Sequence, residues 1–252
     1  MKSEMAIHTI RTGYDNYTYV VTDGAECVVV DASDSASVFD FIEIHCLSLR
    51  AIFSTHHHSD HTSGNAELKE RTGCVVYGPD QKTLSVDVVV AGNMNYDNVL
   101  PGLNVMPVPG HTKTAVAYHL ISPAAVFTGD TLFCAGCGRL FECPADVMYG
   151  SLIRLAALSE NTLVYCGHEY TRENCTFALT VEPSNKALHA RSAEVEMLYN
   201  TGKPSVPSTI GLEKMTNPFL RVESKEIRDK LGMSGRSPVA AFAELRKRKD
   251  AF

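Results

Sequence analysis

At 252 residues the chain is long enough for one large core, or for a main domain with a smaller companion, given domains of roughly 100–200 residues. Its 23 Lys and Arg against 29 Asp and Glu leave a net charge of −6, which works against general attraction to nucleic acid or to an anionic membrane. No apolar run approaches membrane-spanning length, the first five residues lack a basic start leading into an apolar stretch, and eight cysteines in so long a chain read as reduced thiols, so a soluble, monomeric, cytoplasmic protein without nucleic-acid or membrane partners is expected.

Residues 5–10, 17–22 and 27–30 are β-rich runs separated by the turn signals Gly13-Tyr14-Asp15-Asn16 and Asp23-Gly24, which predicts an antiparallel meander. Asp31 closes the third run. Val38, Phe41, Ile42 and Leu47 keep helical spacing across 35–47, with Phe39 and Phe41 expected in the core. The apolar strand 50–54 then runs into Thr55-His56-His57-His58-Ser59-Asp60-His61, and 62–68 reads as the opening of a helix. A strand at 74–77 is closed by Gly78-Pro79, and 87–108 carries short strands and turns. Pro109-Gly110-His111-Thr112 follows the last of these.

Residues 115–121 and 124–128 form a predicted hairpin around Ser122-Pro123, whose second strand runs into Gly129-Asp130-Thr131-Leu132-Phe133. A helix at 145–158 precedes the strand 163–166, which ends in Gly167-His168-Glu169-Tyr170. Beyond 171 strand signals fade, and helical patterns take over through Ala178, Leu179, Ala187, Val195 and Leu198 and again in the last thirty residues. The loop-rich stretch 202–209 is the one break. The expected division is a sheet-containing domain at 1–170 and a mainly helical domain at 171–252.

Four predicted strand ends, at 56–61, 111, 130 and 168, each deliver His or Asp, as when an α/β sheet assembles a site from loops along one edge. In a locally extended loop alternate side chains share a side, so His56 and His58 can converge on one ion while His57 points away. Seven ligands follow: His56, His58 and His111 for one ion, Asp60, His61 and His168 for a second, and Asp130 between them. Nitrogen and carboxylate donors without thiolate suit zinc and tolerate iron or manganese. Asp31 could orient a ligand imidazole from behind, and a plain strand-ending turn would explain it equally well. Cys134-Ala135-Gly136-Cys137 has the C-x-x-C spacing but no second pair and no thioredoxin-like setting, so a structural role is expected.

The HxHxDH pattern of His56, His58, Asp60 and His61 resembles the metallo-β-lactamase superfamily letter for letter. That resemblance implies an α/β fold, an αββα sandwich of two mixed sheets flanked by helices, with a dinuclear site along the sheet edge. Within the superfamily the chain is most similar to glyoxalase II, the hydroxyacylglutathione hydrolases. The similarity is carried by Asp15-Asn16-Tyr17, Pro109-Gly110-His111-Thr112, residues 127–133, residues 136–142, Gly167-His168-Glu169-Tyr170-Thr171, Asn217-Pro218-Phe219-Leu220-Arg221 and the terminal residues 246–252. A C-terminal helical domain is itself a feature of that family.

What the resemblance implies is hydrolysis of S-D-lactoylglutathione to D-lactate and glutathione, the second step of methylglyoxal disposal. Two divalent ions, zinc or else iron or manganese, would share a hydroxide held with Asp60 and Asp130 and polarise the thioester carbonyl. Arg246 and Lys249, three apart on a helix, share a face and by resemblance would grip the glycine carboxylate of the glutathione thioester. Tyr170 would hydrogen-bond the tripeptide, and Arg139 stands where the family has a basic residue. Phe141 replaces a frequent Tyr and Cys143 a usual Gly, both of which bear on substrate affinity. The competing readings are an iron-dependent persulfide dioxygenase, a lactonase or β-lactamase, and a metal-dependent nucleic-acid binder of the same superfamily.

Overall fold

Two left-handed glycines turn the opening meander. Gly13, at φ +56°, joins β1 (Ala6–Thr12) to β2 (Asn16–Asp23), and Gly24, at φ +68°, joins β2 to β3 (Glu26–Val30), a backbone region that costs glycine nothing sterically. The computed structural model describes residues 5–252 apart from 91 and 93. The reading of the first residues as lacking a targeting signal therefore falls, for 1–4, outside the described residues, as does Ala91 of the predicted 87–92 run.

After β3 the pairing turns parallel: β3 with β4 (Ser48–Phe53), β4 with β5 (Val75–Gly78) and β5 with β6 (Val88–Val89). The strands β1 to β6 lie in sequence order in one six-stranded sheet. The crossovers are α1 (Ser35–Ile44) and the pair α2 (Ser59–Thr62) and α3 (Asn65–Thr72). Val28-Val29-Val30 and Ala51-Ile52-Phe53 are buried throughout, as parallel strands with covered faces require. Val20, Val29, Val38, Ile52, Leu68 and Val76 share one core cluster, and each such side chain contributes about 1.5–3 kcal/mol by leaving water.

Asp34 caps α1 by accepting from the Ser37 amide at 2.9 Å, and the helix stops at Ile44, short of the predicted Leu47. Cys46, at φ +50°, turns the chain there, yet Leu47 still packs on the core cluster. Helical spacing alone could not show the stop. β7 (Leu103–Pro107), β8 (Val116–Leu120) and β9 (Ala125–Gly129) form an antiparallel run, the last two being the hairpin predicted around Ser122-Pro123.

The chain divides into two compact units, one of the residues up to Pro107 with Thr114–Gly129, the other of Val108–Lys113 with Asp130–Phe252. The second unit opens with a miniature hairpin of β10 (Leu132–Phe133) and β11 (Gly136–Cys137), turned at Ala135 with φ +54°. Then come α4 (Ala145–Ala156), β12 (Leu163–Cys166), α5 (Thr171–Val181) and α6 (Lys186–Asn200). β13 (Ser208–Thr209), which pairs with β12, leads into α7 (Ile210–Thr216), α8 (Lys225–Leu231) and α9 (Pro238–Asp250).

Side-chain caps set three of these helices: Asn185, Thr209 and Ser237 accept from the amides of Leu188, Leu212 and Ala240, each satisfying a donor that a helix start would otherwise leave open. Phe177, Phe219 and Phe242 form an aromatic core, with successive ring centroids 6.4 and 5.8 Å apart. All eight cysteines are free thiols. The C-x-x-C pair belongs to the small hairpin, with Cys134 and Cys137 buried.

Candidate metal centre

The His and Asp residues expected to bind metal lie on the segments that leave β4, β7, β9 and β12, with Asp60 and His61 already in α2 and Asp130 alone directly on its strand's end. The richest loop leaves β4. Asp31, just past β3 and 2% exposed, supports that loop from behind: its Oδ1 accepts from the Thr55 amide at 2.7 Å and its Oδ2 from the Thr55 hydroxyl at 2.8 Å and from His61 Nδ1 at 3.0 Å. Asp31 holds φ +54°, an uncommon conformation for a residue with a Cβ.

Proton positions follow from these partners. A carboxylate can only accept, so His61 carries its proton on Nδ1 and presents the lone pair of Nε2. The Thr55 hydroxyl gives its hydrogen to Asp31, so at 3.0 Å from His56 Nδ1 it accepts, and His56 too presents Nε2. Among the rings, His56 lies 4.7 Å from His58 and 4.2 Å from His61 between centroids. His57 faces elsewhere, its Nδ1 3.4 Å from Asp80 Oδ2, as the alternation of an extended loop predicts.

Asp60 Oδ2 sits 3.6 Å from His61 Nε2 and is held by Asn16, whose amide donates to Asp60 Oδ2 at 3.2 Å and to its carbonyl at 3.1 Å. Gly129, the last residue of β9, stands at φ +48°, and a Cβ there would come 2.3 Å from Thr55 Oγ1. Only glycine leaves room there for the Thr55 side chain.

In the second unit Asp130 Oδ2 lies 3.4 Å from both His111 Nε2 and His168 Nε2. His111 donates from Nδ1 to the Arg139 carbonyl at 2.9 Å, so its Nε2 is likewise the lone-pair nitrogen. The loop carrying His111 is pinned on several sides. Thr131 Oγ1 donates to the Val108 carbonyl at 3.2 Å, Ser151 Oγ to the Pro109 carbonyl at 2.6 Å, and the Lys113 amide to Glu142 at 2.7 Å. A Cβ on Gly138 would fall 1.9 Å from the Asp130 carbonyl oxygen, so the chain beside Asp130 has no room for any other residue. His168 stacks on Tyr170, the rings 4.8 Å apart and 2° from parallel.

His56, His58, Asp60 and His61 in the first unit, and His111, Asp130 and His168 in the second, have the composition to hold a metal ion. The donors fit such an ion chemically. Three imidazoles are tied back through Nδ1, carboxylates stand beside them, and no thiolate takes part, a nitrogen and oxygen set suited to a borderline divalent cation.

Of the residues expected to meet substrate, Arg139 is exposed and Phe141 is 62% exposed with its ring 5.1 Å from that of His111. Arg246 and Lys249 share a helix face, as the spacing predicts, but differ in burial. Arg246 is only 5% exposed: its Nη1 donates to the Cys137 carbonyl at 2.7 Å, its Nη2 pairs with Asp250 at 3.0 Å, and its guanidinium lies 5.1 Å from the Phe219 ring centroid. Lys249 Nζ sits 5.4 and 5.2 Å from the ring centroids of Phe177 and Phe252, and burial together with the nearby Arg246 pushes its pKa down.

Sequence reasoning assigned no role to Asn16 or Thr55. Each adjoins a motif, yet an amide or a hydroxyl beside a turn is ordinary until its partner is known. The burial of Arg246 against the Cys137 carbonyl is equally hidden, because a basic run near a helix end reads as solvated.

Residues 169–252 match the family described as Hydroxyacylglutathione hydrolase C-terminus, and residues 11–87 the Metallo-beta-lactamase superfamily. The hydroxyacylglutathione hydrolase of Rhodospirillum rubrum is 44% identical over 99% of this chain and 100% of its own. Among solved structures, ETHE1 from Myxococcus xanthus superposes with a TM-score of 0.67 at 26% identity, covering 98% of this chain and 99% of that one. TTHA1623, solved in a di-iron-bound form, gives a TM-score of 0.63 at 26% identity over 84% of this chain and 100% of that one. The fold is the metallo-β-lactamase fold, an α/β sandwich, followed by a helical C-terminal region.

Proposed function

The chain belongs to the hydroxyacylglutathione hydrolase family, and from that membership we propose that it cleaves S-D-lactoylglutathione to D-lactate and glutathione, consuming the thioester formed in methylglyoxal disposal. It is a thioester hydrolase. The observation that carries the substrate reading is the full-length identity to a curated relative, which spans the helical region as well as the ligand loops.

We assign His56, His58 and His111 to one ion, Asp60, His61 and His168 to a second, and Asp130 to both, with zinc as the first choice and iron or manganese as alternatives. When bound, the ions would supply an ionised water near neutral pH and polarise the thioester carbonyl. The chain's own part is orientation. Asp31, Thr55 and the Arg139 carbonyl hold three imidazole Nδ1 protons away from the site. Asn16 fixes the Asp60 carboxylate, and Asp60 and Asp130 would hold the attacking water. As the C–S bond breaks, the electron pair leaves with sulfur. A free thiol titrates near roughly 8.5, so the thiolate departs without a dedicated general acid.

Glutathione brings two carboxylates and one ammonium, so cationic contacts are needed despite the net charge of −6. Arg139, Phe141, Tyr170, Arg246 and Lys249 make up the substrate-binding set in this reading. Residues 1–170 serve as the catalytic domain and 171–252 as the substrate-binding domain. We read the enzyme as a cytoplasmic monomer without nucleic-acid or membrane partners; among the described residues no helix is long and apolar enough to cross a membrane.

The test is steady-state hydrolysis of S-D-lactoylglutathione by metal-loaded protein, followed as loss of thioester absorbance. A kcat/KM at or above about 10⁴ M⁻¹s⁻¹, within the ordinary enzyme range, is expected. Asp130→Ala should abolish turnover and lower bound metal, a larger loss than the roughly 10–100-fold typical of an outer-shell partner. A metal-loaded protein inert toward this thioester would redirect the assignment to other thioesters and to lactones.

A further inference from the structure

The segment from Asp130 to Arg139 has a metal ligand at one end and, at the other, the carbonyl that orients a second ligand, His111. Between them β10 and β11 contribute two residues each, too few to hold a hairpin in shape by themselves. Its backbone is held instead by side chains from three helices of the C-terminal region. Asn174 of α5 donates to the Cys134 carbonyl at 3.0 Å. Asn217, which caps the end of α7, donates to the carbonyls of Phe133 at 3.1 Å and Gly136 at 2.9 Å. Glu213 of α7 accepts from the Ala135 amide at 2.7 Å, and Arg246 of α9 donates to the Cys137 carbonyl at 2.7 Å.

Every residue from Phe133 to Cys137 thus has a backbone group engaged by one of four side chains, and all four are buried: Asn217 is 0% exposed, Glu213 1%, Asn174 and Arg246 5% each. Glu213 and Asn217 also bond each other at 3.0 Å, and Ser208 donates to Glu213 at 2.5 Å. Apolar side chains would join helices to a hairpin at less desolvation cost. What apolar packing cannot do is dictate the position of five successive peptide groups, and a hydrogen-bonded network with every member oriented does that. The left-handed Ala135 and the contact between Gly138 and the Asp130 carbonyl show how little the segment can shift.

We propose that Asn174, Glu213, Asn217 and Arg246 are positioning residues of the metal centre, holding the 130–139 segment so that Asp130 and the Arg139 carbonyl aim the ligands of the second unit. This rests on the metal-centre assignment above, and it gives the C-terminal helices a task besides gripping substrate.

The experiment is zinc affinity by competition with a chromophoric chelator, in the full chain, for Asn174→Ala and Asn217→Ala. Glu182→Ala serves as the control: Glu182, the buried carboxylate that ends α5, has its side-chain hydrogen bonds with Arg221, Ser224 and Asn185 rather than with the hairpin. The expected result is a zinc Kd raised about 10–100-fold, the range for partners that orient a ligand, in both hairpin variants, with the control unchanged even if its Tm falls. Asn174→Ala removes a single bond at the edge of the network, so it carries the test if Asn217→Ala does not fold. The proposal is overturned if folded Asn174→Ala binds zinc like the wild type, or if Glu182→Ala weakens zinc equally, since general loosening of the helices would then explain the effect. Wild-type protein that takes up no zinc would sink the metal-centre reading itself.

Discussion

Asp31 accepts from the Thr55 amide, the Thr55 hydroxyl and His61 Nδ1, and through that one carboxylate the tautomers of both His61 and His56 are decided. Replacing it with Asn is nearly isosteric and yet chemically opposite on one side. An amide N–H facing His61 Nδ1 would require a lone pair there and move the proton to Nε2, the atom proposed to ligate. Zinc affinity should therefore fall about 10–100-fold in Asp31→Asn as well as in Asp31→Ala. Chelator competition measures this, and an Asn variant with wild-type affinity would remove Asp31 from the role. The sequence left Asp31 undecided between orienting a ligand and closing a turn, because a carboxylate after a Val run suits both. The choice depends on Thr55 and His61, residues 24 and 30 positions away, which no local pattern connects.

At the scale of elements, the strand ends were readable and the helix faces only partly so. β4, β7, β9 and β12 all end where the apolar runs stop, and each is followed by its predicted His or Asp. Apolar composition, with a glycine near the exits of β7, β9 and β12, suffices for that. On α9 the spacing of Arg246 and Lys249 gives their common face but not their depth, which depends on Phe177, Phe219 and the β11 backbone. Depth has a titration consequence. Burial, reinforced by the charge of Arg246, pushes the Lys249 pKa below that of a free lysine at roughly 10.4. Protonating Lys249 is thus harder in the folded than in the unfolded chain, so its contribution to stability improves as pH rises through the lowered value.

In the proposed substrate site binding runs the other way: below that value the ammonium would be present to meet a glycine carboxylate, and above it the charge is lost. KM for the thioester should climb as pH rises, earlier than a solvent-exposed lysine would allow. Lys249→Arg keeps its charge far above the range in which a lysine titrates, and should flatten that limb even if its shape raises KM throughout. Identical KM profiles for wild type and Lys249→Arg would exclude Lys249 as the titrating contact.

For the molecule as a whole, the HxHxDH pattern already pointed by resemblance to one fold family, while the stability held in the ligand loops was not legible. The apolar cores around Val29 and Ile52 and around Phe177, Phe219 and Phe242 contain none of the proposed ligands, so they should form without an ion. The ligand loops are different, since Asp130 and its histidines are brought together at 3.4 Å in the folded chain alone. An ion that binds only this folded arrangement adds RT ln(1 + [L]/Kd) to stability, about 2.7 kcal/mol at a free concentration of 100 Kd. For a chain of this length 1 kcal/mol moves Tm by roughly 2–4 °C, so stripping the metal should lower Tm by about 5–10 °C. Far-UV circular dichroism at 25 °C should meanwhile stay close to that of the loaded protein, because the sheets and helices rest on the apolar cores. Adding zinc back should restore Tm in a concentration-dependent way, and Asp130→Ala should show little of that dependence. A Tm indifferent to chelator, in protein shown to have held metal beforehand, would mean that the ion binds folded and unfolded chains alike and that the loops are not preorganised for it.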